Sequence, residues 1–407
     1  MPTLKPLPDF EGPKLECFTD DLLAHDFKFL TIVGVGVHGV TIKAKINGNL
    51  YAIKIFFSEG TTEPCAHLCP LQEFPDEEGE DYSLKERYGW SDSLIEKLVL
   101  CTTSFNNECR VFGRLKEVGR EDLAVGAHGY IQVYLNDRVE EQFKIALDNH
   151  PVLTDTSGAQ LMNHTNPEEP LMAIVKDWVP GEEQPAHGEI TNKEGEWLRP
   201  TKFPKMLRDL KELHKCGIVV RDIHAQQYIN GTLVDFSHAW TIPHVWGPEE
   251  GIQPRWAFAS MAAWDLFCFQ VEVIRDWNLE AERSDSRRKP CRLVAYRGVN
   301  GRSVAGFGQD PNRASVYDRL RIRPGNEGPF LPLLNHEGFL VSMTQDPPYD
   351  PALFDWRRAQ EQAGKEGKGT MARKRKVAVQ QQPRPAKKSK PADDSKKGKK
   401  VKLASKA

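Results

Sequence analysis

The stretch KFLTIVGVGVHGVTIKAKINGNLYAIKIFF, residues 28–57, sets β-branched residues in alternation and breaks at Asn47 and Gly48. It reads as three antiparallel strands joined by tight turns. The third strand constrains the fold most. Lys54 stands between Ile53 and Ile55, and an ammonium in an apolar strand needs either a route to water or a carboxylate to meet it. The segment NNECRVFGRLKEVG, 106–119, offers the carboxylate: it spaces Glu108, Val111, Phe112 and Leu115 at i, i+3, i+4 and i+7. A charge thereby joins an otherwise apolar helix face. The alternative is a half-exposed strand with Lys54 facing solvent.

Strands are expected at 130–135 and in LMAIVKDWVPG, 171–181, which stops at Pro180 and Gly181. An amphipathic helix follows over 202–217, with Phe203, Met206, Leu207, Leu210 and Leu213 on one side and Gly217 as its stop. GIVVRDIHAQQYINGTLVDFSHAW, 217–240, then gives a short strand and a hairpin turning at Asn230 and Gly231. Asp222 and Asp235 flank that hairpin. They are either members of one site or loop aspartates that cap turns. The apolar run 257–274 is interrupted by Ser260, Asp265, Gln270 and Glu272, so it reads as a buried helix and not as a membrane span. Segments 58–100, 151–170 and 182–201, rich in Gly, Pro, Glu, Asp and Asn, read as surface insertions.

The prolines of MPTLKPLPDFEGP stand where a secretory signal needs unbroken apolar sequence, which implies an intracellular protein. The eight cysteines, scattered through 407 residues, read as free thiols. Cys65, His67 and Cys69, with Cys101 or Cys109, offer zinc-ligand types but not a zinc-site spacing. Charge is strongly asymmetric: Gly364–Ala407 carries 16 Lys and Arg against 3 acidic residues, so residues 1–363 hold −15 of a net −2. That tail has almost no large apolar residues and is expected to be disordered. Its clusters at 373–376 and 387–390 look like nuclear-import signals, and its charge suits DNA phosphates; the plainer alternative is a solubilising tail.

The order strand, glycine-rich turn, strand, lysine strand, glutamate helix, sheet, helix, Arg-Asp and Asp-Phe resembles the protein-kinase-like superfamily over residues 28–275. That resemblance implies an α/β (α+β), two-lobed fold: an extended segment 1–27, a sheet lobe 28–176 with the insertion 58–100, a helical lobe 177–356 and a basic tail 357–407. It implies an ATP and Mg2+ site in which Gly34, Gly36 and Gly39 of VGVGVHGV face phosphates, although a plain glycine-rich hairpin is the better account of them in isolation. Lys54, paired with Glu108, would hold the α and β phosphates, and Asp222 would be the catalytic base. Asp235 would bind magnesium, with Gln227 where the superfamily has asparagine. Ser237 replaces the glycine of Asp-Phe-Gly, and no Ala-Pro-Glu follows. Asp265 either braces the Asp222 loop from below or is an ordinary capped or exposed residue.

LYAIKIF, FNNECRVFGRLKE, LHKCGIVVRDI and INGTLVDFSHAWTIPH together resemble the fungal inner-kinetochore subunit family, whose members have a degenerate kinase-like domain. This second resemblance implies a nuclear, chromosome-associated binding subunit of pseudokinase type with protein partners. The alternative is an active ATP-dependent phosphotransferase on a protein or small-molecule acceptor.

Overall fold

The computed structural model describes residues 12–19, 22–36, 38–57, 91–148, 170–180, 199–247, 258–284, 289–296, 331–334, 340–343 and 349–365. The chain divides into two units, Met1–Gln360 and Glu361–Ala407. In the second unit the described residues, 361–365, are helical. The import clusters and the Cys65–Cys69 segment lie outside the described residues, as does most of each expected insertion.

The first unit mixes helices with antiparallel sheet. The period-two stretch forms β1 (Phe27–Gly36), β2 (Gly39–Ile46) and β3 (Asn49–Phe56). Asn47 and Gly48 make the β2–β3 turn with φ of 48° and 86°, the left-handed geometry that such two-residue turns require. β4 (Ala127–Val133) and β5 (Leu171–Asp177) complete a sheet of order β1-β2-β3-β5-β4. The N-terminal segment covers the β4 edge: Tyr130 N donates to Glu16 O at 3.0 Å, and Phe18 N to Tyr130 O at 2.9 Å.

Strand alternation sorts the side chains onto two faces. Ile53 pairs with Ile42 and Val175, and this face packs with Val139, Phe143 and Ala146. Lys54 pairs with Thr41 and Ile174, and so faces the opposite way, toward the larger core. Two helices were not expected from the sequence. α1 (Asp92–Thr102) occupies the end of the first expected insertion, buries Leu98 and Cys101 and packs Leu94 against the same core. α3 (Asp137–Asp148) covers the Ile53 face, and Asn136 Oδ1 accepts Val139 N at 3.1 Å at its start. Both carry apolar residues at i, i+4 and i+7, or close to it, a periodicity hidden by their polar surroundings.

α2 (Ser104–Glu117) lies between them in sequence and buries every residue from Ser104 to Leu115. The second half follows the expected order closely. α4 (Phe203–Lys215) ends before Gly217, whose φ is 75°. The short strands β6 (Ile218–Val219) and β9 (Trp240–Thr241) pair, as do β7 (Tyr228–Ile229) and β8 (Thr232–Leu233). α5 (Phe258–Cys268) continues through a π-helical stretch, Phe269–Arg275, into α6 (Asp276–Ser284). A two-stranded piece, β10 (Leu331–Leu334) and β11 (Leu340–Met343), comes last among the described strands. The expected tail boundary at 357 falls inside a helix, since 356–360 are helical. Among the described residues no helix is long and apolar enough to cross a membrane.

Candidate functional site

β3 and α2 bring the two expected partners together. Lys54 Nζ lies 3.0 Å from Glu108 Oε2 and 2.6 Å from Asp235 Oδ1. It also donates to Ser237 Oγ at 2.5 Å. The solvent-facing alternative for Lys54 is therefore not what the fold adopts. Of the ammonium's three N–H donors, two are hydrogen-bonded, to Asp235 and Ser237, while Glu108 is held as an ion pair. Burial weakens the charge on Lys54, but Asp235 and Glu108 outweigh that, and its pKa ends above the ordinary value.

Asp235 sits at the meeting point of the cluster. Its Oδ1 also accepts Ser237 N at 2.9 Å and Ser237 Oγ at 2.7 Å. Burial pushes its carboxyl up, yet Lys54 and Lys176 pull it further down, to well below the usual carboxylate range. Ser237 thus has a task here, since its hydroxyl bridges Lys54 and Asp235. α2 reaches the same segment through Asn107, whose Nδ2 donates to Ser237 O at 2.9 Å.

Lys176, which sequence reasoning passed over, is the second ammonium of this cluster. It pairs with Ala52, two residues from Lys54, and so lies on the same sheet face. Its Nζ meets Glu108 Oε1 and donates to Val234 O at 2.9 Å. Burial is the main cause that lowers its pKa, opposed by Glu108 and reinforced by Lys54. The signal was present in LMAIVKDW, where a lysine interrupts an apolar strand just as Lys54 does.

Asp222 is placed by what lies beneath it. Asp265 is fully buried and accepts Val220 N at 2.8 Å, Arg221 N at 2.7 Å and His214 Nε2 at 3.0 Å. The bracing alternative for Asp265 is thus the one realised. Arg221 takes φ of 69°, stacks 3.8 Å above the Trp240 ring and donates to His238 O at 3.2 Å. Gln227 Nε2 donates to Asp222 Oδ2 at 3.0 Å, and His224 Nε2 lies 3.4 Å from the same oxygen.

The three glycines do different things. Gly34 and Gly36 are exposed, and a Cβ on Gly34 meets nothing within 4 Å. A Cβ on Gly39 comes to 2.1 Å from Ile55 O, so this glycine serves close β2–β3 approach. The turn that they frame is latched: His38 Nε2 lies 2.8 Å from His238 Nε2, with the rings edge to face. Burial lowers the His238 pKa to about 4, with Asp222 opposing and His38 adding to the fall.

Two buried arginines of α2, unremarked in the sequence, fix that helix to the chain after Asp235. Arg110 donates to Thr241 O at 3.2 Å and to Pro243 O, and Arg114 donates to Ile242 O. Burial lowers the Arg114 pKa to about 10. Cys101 and Cys109 are free buried thiols, and no cluster of three or more metal-ligating side chains occurs among the described residues.

Lys54, Glu108, Asp222, Gln227 and Asp235 all fall inside the part of the chain that is similar to a described family. No curated protein matches the chain. The model of the family described as kinetochore Sim4 complex subunit FTA2 matches residues 3–240, more than half of the sequence, and the chain belongs to that family.

Proposed function

We propose that this chain is a kinase-like binding subunit of a nuclear, chromosome-associated kinetochore complex, its phosphate-transfer site converted into internal structure. The family supports the complex and its location. The kinase-like reading is supported by the strand order, by the convergence of Lys54, Glu108 and Asp235, and by Asp265 under the Val220–Asp222 loop. In this reading a sheet lobe and a helical lobe meet at the end of β5, and the basic tail adds diffuse contacts to DNA phosphates.

The observation that carries the loss of catalysis is the set of partners of Lys54. It donates to Asp235 and Ser237 and pairs with Glu108, so a phosphate oxygen would have to displace one of these internal partners. Magnesium and ATP fit the remaining residues poorly. Gln227 stands where the superfamily has asparagine, and its extra methylene moves the ligating carbonyl outward from the position that octahedral magnesium demands. The His38–His238 contact draws the glycine turn down onto the residue beside Ser237. Asp235 keeps the character of a ligand for a hard cation, with 30% of its side chain exposed.

The test uses the full chain. It should transfer no phosphate from ATP with magnesium to any offered acceptor, and Asp222→Asn should assemble with the kinetochore complex as well as the unmodified protein does. Turnover that disappears in Asp222→Asn would instead establish a phosphotransferase.

A further inference from the structure

Lys54 alone faces two carboxylates, Glu108 and Asp235. Such a trio carries one negative charge in excess, and a buried excess charge needs a compensating cation. A divalent metal ion can supply it, and would then be the largest local charge in the site. Here the chain supplies it. Lys176 comes from the strand next to Lys54, shares Glu108 through that residue's other oxygen, and is held in place by Val234 O. Both lysine side chains and that of Glu108 are less than a tenth exposed. The four charges sum to zero.

We infer that Lys176 is a built-in counter-cation, and that the Glu108–Asp235 site reaches charge balance from within the chain and binds no divalent cation. The inference rests on the kinase-like reading of these residues, but its outcome is separable from it. It states what the site excludes, whereas the loss of phosphate transfer concerns what the protein does.

The experiment compares the full chain with Lys176→Met, Lys176→Arg and Asp235→Asn, by calorimetric titration with Mn2+ and by thermal midpoint in Mn2+ or chelator. The unmodified chain and Lys176→Arg should show the same midpoint in both solutions. Lys176→Met, left with one negative charge in excess, should gain a Mn2+ site at least tenfold tighter than any in the parent, and Asp235→Asn added to it should abolish that site. If Lys176→Met does not fold, the double variant Glu108→Gln/Lys176→Met, which removes one charge of each sign, should fold and ignore Mn2+. A double variant as unfolded as the single one would assign the loss to packing and overturn the inference. Mn2+ binding by the unmodified chain that Asp235→Asn removes would also overturn it, as would a folded Lys176→Met indifferent to Mn2+. Metal binding at Asp235 without phosphate turnover would sink this inference and leave the binding-subunit reading standing.

Discussion

Glu108 Oε2 lies 3.0 Å from Lys54 Nζ, with the two side chains 0% and 8% exposed. A fully buried carboxylate answered by lysines from two neighbouring strands cannot be removed without stranding both of them.

Glu108→Gln should therefore be the most costly single change in the cluster. Breaking a buried ion pair from one side costs about 3–5 kcal/mol, because the partner charge remains buried. Lys54→Met leaves Glu108 with Lys176 and should cost less. Urea unfolding of the two variants measures the order, and equal midpoints would contradict the shared role of Glu108.

Acidification should destabilise the fold in two stages. His238 is held neutral, with its pKa lowered to about 4, while an unfolded histidine takes a proton near pH 6.5. Between those values the unfolded chain binds more protons, so stability falls as pH falls. Asp235, held well below the usual carboxylate range, adds a second loss below about pH 4, again because the unfolded chain protonates first. His238→Asn should reduce the upper stage, to which the buried His244 also contributes, and leave the lower one, as read from thermal midpoints across pH 2–7.

Asp265→Ala should unseat the Asp222 loop. The change leaves the Val220 and Arg221 N–H groups buried without acceptors, and each such group costs about 1–3 kcal/mol. The urea midpoint should fall accordingly, with hydrogen exchange rising at residues 218–223. A near-neutral result would mean that the loop is held elsewhere.

The glycine turn should respond unevenly to alanine. Gly39→Ala places a Cβ against Ile55 O and should cost about 1–3 kcal/mol as an overpacked contact. Gly34→Ala meets open space and should stay within about 0.5 kcal/mol of the parent. Comparable losses at both positions would show that the turn is constrained by something other than strand pairing.

Much of this site was legible before any coordinates, because its residues violate local pattern. A lysine in an apolar strand and a glutamate on an apolar helix face each demand a partner, and the two prove to be each other's. Asn47 and Asn230 were equally readable, since each precedes a glycine at a turn that needs positive φ. Other features were not visible because their signal is a long-range pairing. Nothing local to His38 points to a residue 200 positions away. Arg110 and Arg114 look like the polar face of an amphipathic helix until the Thr241–Pro243 carbonyls bury them. Lys176 carried the same local signal as Lys54, but with Glu108 already matched to one lysine, the second had no obvious claim on it.

The two arginines stand four residues apart on α2, so both guanidinium groups point the same way and grip adjacent carbonyls. Tilting the helix outward would strip two cations of their acceptors at once. A helix held at two points on one face resists rotation, and Glu108 on that helix keeps its alignment with Lys54.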